Sequence, residues 1–109
     1  MTDRRNDAPI SERFRIAAYN WVRLDAAARM LEEGKTTFLA QRKNALGEMP
    51  DAKAERQVKA SDEWADYIKK MVNTRTAALE AKIEVDFLKM QMSEWMSEDA
   101  NARIERKAA

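Results

Sequence analysis

The stretch Ser61–Lys107, SDEWADYIKKMVNTRTAALEAKIEVDFLKMQMSEWMSEDANARIERK, decides the architecture. It holds no Gly and no Pro. Its apolar residues recur at helical spacing: Trp64, Ile68, Met71, Val72, Ala78, Leu79, Val85, Leu88, Met92 and Trp95. Read as one unbroken helix, it is about 70 Å long. A chain of 109 residues cannot wrap such a rod, so the remainder must pack along it.

Working back from that helix, Ser61 with Asp62 and Glu63 forms a fresh N-terminus: a capping hydroxyl, then acids at the positive end of the helix dipole. The segment Ala52–Ala60, AKAERQVKA, is helix-prone but has Val58 as its one large apolar residue. It is either a polar start to the long helix or a short separate one, with a break near residue 60. Gly47 reads as the residue just past a helix end, Pro50 follows it, and Asp51 is placed to cap whatever comes next.

A second long helix is expected from about residue 11 to 46. Ser11 is its candidate cap, with Ile10 placed for a hydrophobic staple. A heptad register fits it. One column holds Ile10, Ala17, Leu24, Leu31, Phe38 and Ala45; the other holds Phe14, Trp21, Ala28, Lys35 and Arg42. The second column turns basic at its end. Long Lys and Arg stems can lie over a seam with their heads in water. Gly34 costs this helix roughly 1 kcal/mol against Ala and marks a bend or a close helix approach. Gly34-Lys35-Thr36-Thr37 has the look of a phosphate-loop tail, but position 29 is Arg inside a helical pattern, which excludes a nucleotide loop. Residues 1–9 are expected to form a disordered arm, and residues 10–109 a single helical domain.

The fold class read from this pattern is all-α: a long antiparallel helical hairpin, or coiled coil, completed by oligomerisation. With the break near 60, Arg42 falls near Trp64, Phe38 near Ile68, Lys35 near Met71 and Phe14 near Trp95. The stripe on the long helix runs 61, 64, 68, 71, 75, 78, 82, 85, then 88 and 92. Its two successive steps of three amount to a stammer, and Arg75 and Lys82 lie in the stripe itself, as snorkelling residues or as contacts to another subunit. A lone hairpin leaves Tyr19, Val22, Met30, Leu39, Ile83, Phe87 and Met90 off the seam. Contiguous apolar surface of that kind marks an interface, so a homo-oligomer is expected.

Composition narrows the chemistry. There is no Cys, hence no disulfide or thiolate site, and no His, which removes the commonest general base and zinc ligand. Charged residues make up 36% and aromatics 7%, with two Gly and two Pro, a profile for helices and against a sandwich or barrel. These totals point away from an enzyme, a cofactor or a metal. The acids of residues 80–99 read as solvated helix ion pairs. The opening MTDRRNDAPI lacks the apolar core of a secretory signal, and no run is long enough to span a bilayer, so the expected location is the cytoplasm with no membrane partner.

The net charge is +1, so any pull on polyanions must be local. Lys35, Arg42 and Lys43 lie between Gly34 and Gly47 with no acid among them. Lys69, Lys70 and Arg75 lie between Tyr67 and Leu79, again with no acid. Antiparallel pairing sets the two stretches side by side as one patch of six cations, the candidate DNA-binding residues. Trp64 and Tyr67 beside them offer stacking faces or, as core residues, packing.

Two motifs together resemble the UvsY-type recombination mediators of tailed phages. One is the helix-terminal Phe38-Leu39-Ala40-Gln41-Arg42-Lys43 before a Gly turn. The other is Val58-Lys59-Ala60-Ser61-Asp62 at the opening of the long C-terminal helix. The resemblance spans roughly residues 20–95; Gln41 stands where a more regular motif would be charged or small. It implies a small helical protein that assembles into a ring-like oligomer, binds single-stranded DNA, and helps a recombinase load onto strands coated by single-strand-binding protein, with Arg42 and Lys43 as DNA contacts. The alternative reading of the same residues is a helical protein-binding module, such as a phage regulator, inhibitor or scaffold, with no nucleic-acid role.

Overall fold

The computed structural model describes residues 9–108, so the arm expected over residues 1–9 lies, apart from Pro9, outside the described residues. The architecture is an all-α helical hairpin. It has α1 at Ile10–Ala45, α2 at Asp51–Lys59 and α3 at Asp62–Ala108. Packing groups the chain into two compact units. One takes in the described residues up to Val22 and from Leu79 onward; the other is Arg23–Ala78.

The Arg23–Ala78 unit contains the turn. Gly47 adopts φ +82°, a left-handed conformation that costs a side-chain-bearing residue energy, and its N–H bonds to the Asn44 carbonyl at 3.2 Å. Pro50 then caps α2. The expected cap, Asp51, is instead the first helical residue and makes no cap bond, because its carboxylate turns to Lys43. So residues 51–59 are a separate short helix, and its apolar side, Ala54 and Val58, is buried. The break falls where the polar stretch predicts. Ala60 and Ser61 close α2 by bonds to the Arg56 and Val58 carbonyls, and the Ser61 hydroxyl accepts from the Trp64 N–H at 3.2 Å to start α3. Ser11 does not cap α1: the Pro9 carbonyl takes the Glu12 and Arg13 N–H groups, so helix begins one residue before the serine.

In the other unit, Ala81, Val85 and Leu88 form the buried side of α3, with Phe14, Ala17 and Trp21 of α1 half-buried. Lys82 lies over the Trp21 ring at 4.5 Å. With those two residues opposite, an antiparallel α1 beginning at Ile10 ends against about residue 93 of α3, counting residue for residue. That corrects the expected Phe14–Trp95 contact. Trp95 lies past the start of α1 and is 52% exposed.

The stammer is also absent. Burial along α3 follows Ala78, Ala81, Val85 and Leu88, alternate steps of three and four, an ordinary heptad. The irregularity came from placing Lys82, rather than its neighbour Ala81, on the seam. Lys82 flanks the seam, bridged to Asp86 at 3.1 Å. No helix is long and apolar enough, among the described residues, to cross a membrane.

Candidate nucleic-acid interface

Within the Arg23–Ala78 unit, the Ser61 cap sets the phase of α3 so that Trp64 and Tyr67 face α1. There they meet Phe38. The Phe38 and Tyr67 rings stack at 4.5 Å with 16° between planes, and Trp64 joins at 6.2 Å from Phe38 and 6.5 Å from Tyr67. Each ring is half-buried. The Tyr67 hydroxyl donates to the Leu31 carbonyl, tying α3 to α1. Gly34 makes room for it: a β-carbon there would sit 3.1 Å from the hydroxyl oxygen. Of the two readings of Gly34, close helix approach is therefore the one found.

Two cations rim this stack. Lys35 Nζ lies 5.8 Å from the Trp64 ring centre, and the Arg42 guanidinium 5.4 Å from that of Phe38. Both side chains are exposed, within cation–π range, and without an ion pair among the described residues. The seam is offset from the expected register. Lys35 covers Trp64 and not Met71; the Arg42–Phe38 contact lies within α1 and does not report the register of the seam. At Lys35 the offset along α3 is about two helical turns, and the order along the helices is kept. Arg42 also lines a cleft with Gln57, Ser61 and Glu63.

The other four candidate cations stand elsewhere. Lys43 is bridged to Asp51 at 2.5 Å. Arg75 bonds to Asp25 at 2.7 Å and, through two nitrogens, to both oxygens of Glu32 at 2.9 and 2.7 Å. This clamp raises the Arg75 pKa and holds both carboxylates below their ordinary range, chiefly by hydrogen bonding. Asp25 is shared with Arg29 at 3.1 Å. Lys69 and Lys70 line a shallow depression with Leu24, Asp66, Asn73, Thr74 and Ala77, and none of the three rings borders it. The expected patch of six positive charges is thus divided. Its acid-free appearance held only within each stretch; the neutralising carboxylates come from Asp25, Glu32 and Asp51, outside both.

The clamp had a readable signal. Asp25 and Glu32 stand seven apart, one heptad, each directly after a seam leucine, and Arg75 lies in the facing stripe. The Tyr67–Leu31 bond had none, since backbone acceptors leave no mark in a side-chain pattern. No family model matches the chain, and no curated protein or solved structure matches it.

Proposed function

We propose that this chain is a non-enzymatic, self-associating helical protein that holds single-stranded DNA at the rim of the Phe38–Trp64–Tyr67 stack. In this reading it serves phage-type recombination as a mediator in the host cytoplasm, handing strands coated by single-strand-binding protein to a recombinase. One observation carries the reading: two cations that have no ion pair among the described residues, Lys35 and Arg42, border three stacked rings. Single-strand binders combine those elements, cations that follow the backbone and aromatic faces that take bases in any sequence. Lys35 can swing from Trp64 to a phosphate and free the indole face for a base. Lys43 and Arg75 act as internal ties, and Lys69 and Lys70, on their separate depression, lie off the strand's path.

The test is binding of a fluorescent oligonucleotide by the intact chain at low salt. The double variant Lys35→Glu/Arg42→Glu should lose at least tenfold in affinity while light scattering shows unchanged mass. Unchanged affinity would end the proposal.

A second reading, a protein-binding module, is favoured by the large apolar side chains that stay exposed: Tyr19, Val22, Ile83, Phe87 and Met90. It predicts purified material free of nucleic acid and no oligonucleotide binding at any salt.

A further inference from the structure

The helix α3 is apolar on two opposite sides. Between Leu79 and Glu94, one side carries the buried Ala81, Val85 and Leu88. At 100° per residue, the reverse side carries Leu79, Ile83, Phe87 and Met90, which are 56, 68, 47 and 60% exposed. A surface helix normally has a single apolar stripe facing its core. A second one has no work to do in an isolated hairpin.

The charges beside this second stripe are sorted by sign. Leu79 and Asp86 form one heptad column and Ile83 and Met90 the other. Lys82 and Lys89 flank the stripe on one edge; Glu80 and Glu94, with Phe87 between them, flank it on the other. When two such helices pack in parallel, the basic edge of each meets the acidic edge of its mate, about five residues further along. Lys89 then faces Glu94, and the Lys82 stem faces Phe87. Packed antiparallel, each edge meets its own kind, lysine against lysine and glutamate against glutamate. Neither Lys89 nor Glu94 has an ion-pair partner among the described residues. Asp86, the one charge inside the stripe, is already met by Lys82.

We infer that the outward face of α3 from Leu79 to Glu94 is the seat for the same face of a second copy of this chain, with the two α3 helices parallel and in register. The inference rests on the self-association in the proposed function, and adds the surface and its direction.

The sequence has no cysteine, which makes the test direct. Leu79→Cys and Met90→Cys are prepared separately in the full chain, oxidised, and run without reductant beside a Thr37→Cys control. In a parallel seam each position meets its own counterpart, so each variant alone should give a covalent dimer and the control should not. Cross-linking only when the two variants are mixed would mean an antiparallel seam and overturn the inference. An oligomer by light scattering that gives neither cross-link would overturn this seam while leaving self-association standing. A monomeric unmodified chain would overturn both, and oligonucleotide binding by that monomer would leave the DNA reading intact.

Discussion

The hydroxyl oxygen of Tyr67 lies 3.1 Å from the point where any other residue at position 34 would place its β-carbon, and it donates to the Leu31 carbonyl beside it. A mid-helix glycine costs roughly 1 kcal/mol against alanine, and here the cost leaves room for a cross-helix bond. In the native background, Gly34→Ala should gain little or lose, because the added methyl displaces the hydroxyl. With Tyr67→Phe the hydroxyl is gone, and the same substitution should stabilise by about 1 kcal/mol. Tyr67→Phe alone should cost about 1 kcal/mol for the lost bond. Denaturant titration of the four proteins reads the coupling; purely additive values would show that hydroxyl and glycine are independent.

Arg75 ties α3 to α1 through two carboxylates, which makes its contribution depend on pH in a definite direction. Asp25 and Glu32 have pKa values lowered by hydrogen bonds from Arg75. A carboxylate lowered in the folded state stabilises above its unfolded pKa, and the gain is lost as pH falls through the folded value. Arg75→Gln should therefore melt below the native chain at pH 7, and the gap should close as the pH falls through the lowered folded-state values of the two carboxylates. Thermal unfolding followed by circular dichroism checks this. A gap that persists in acid would assign the loss to packing of the arginine stem.

The helices and the turn were legible because each rests on a local signal: the absence of Gly and Pro over Ser61–Lys107, the Gly47 turn, and the Ser61 cap. The exposed apolar set followed from heptad arithmetic, and of the residues named for it only Leu39 is half-covered in place. The candidate site was read less well, for a physical reason. Counting charge along the chain tells which cations lack acidic neighbours in sequence, whereas neutralisation is a matter of neighbours across the seam. Lys43 finds Asp51 beyond the turn, and Arg75 finds Asp25 and Glu32 on the facing helix, so two of the six were never available. Within α3, Lys82 stands one residue from the buried Ala81, and reading it as seam turned a regular heptad into a stammer.

Ser61 separates α2 from α3 with a single hydroxyl. It accepts from the Trp64 N–H at 3.2 Å and donates to the Val58 carbonyl at 2.5 Å. Ser61→Ala should destabilise the fold by about 1 kcal/mol, the usual worth of an N-cap. Ser61→Asp should recover most of it, since a carboxylate accepts the same N–H. Because the cap fixes where Trp64 points, the alanine variant should also blunt the tryptophan fluorescence change on oligonucleotide addition. Urea titration with a fluorescence readout gives both numbers. An alanine variant as stable as the native chain would show that Gly47 and Pro50 alone set the turn.

If Lys35 and Arg42 are the phosphate contacts, salt should report how many charges take part. Each phosphate neutralised on a single strand contributes about −0.7 to the slope of log affinity against log salt, so two per protomer give about −1.4. Removing both as Lys35→Ala/Arg42→Ala should bring the slope near zero. Lys69→Ala/Lys70→Ala, on the separate depression, should leave it within about 0.3 of the native value, since a full phosphate contact would move it by more than twice that. Lys43 and Arg75 are bound to carboxylates and release no counterion on binding, so neutral substitutions there should change stability and leave the slope alone. Fluorescence anisotropy at four or five salt concentrations measures each slope. A loss of slope in the Lys69/Lys70 variant equal to that in the Lys35/Arg42 variant would move the strand's path off the ring stack, because the two surfaces share no residue.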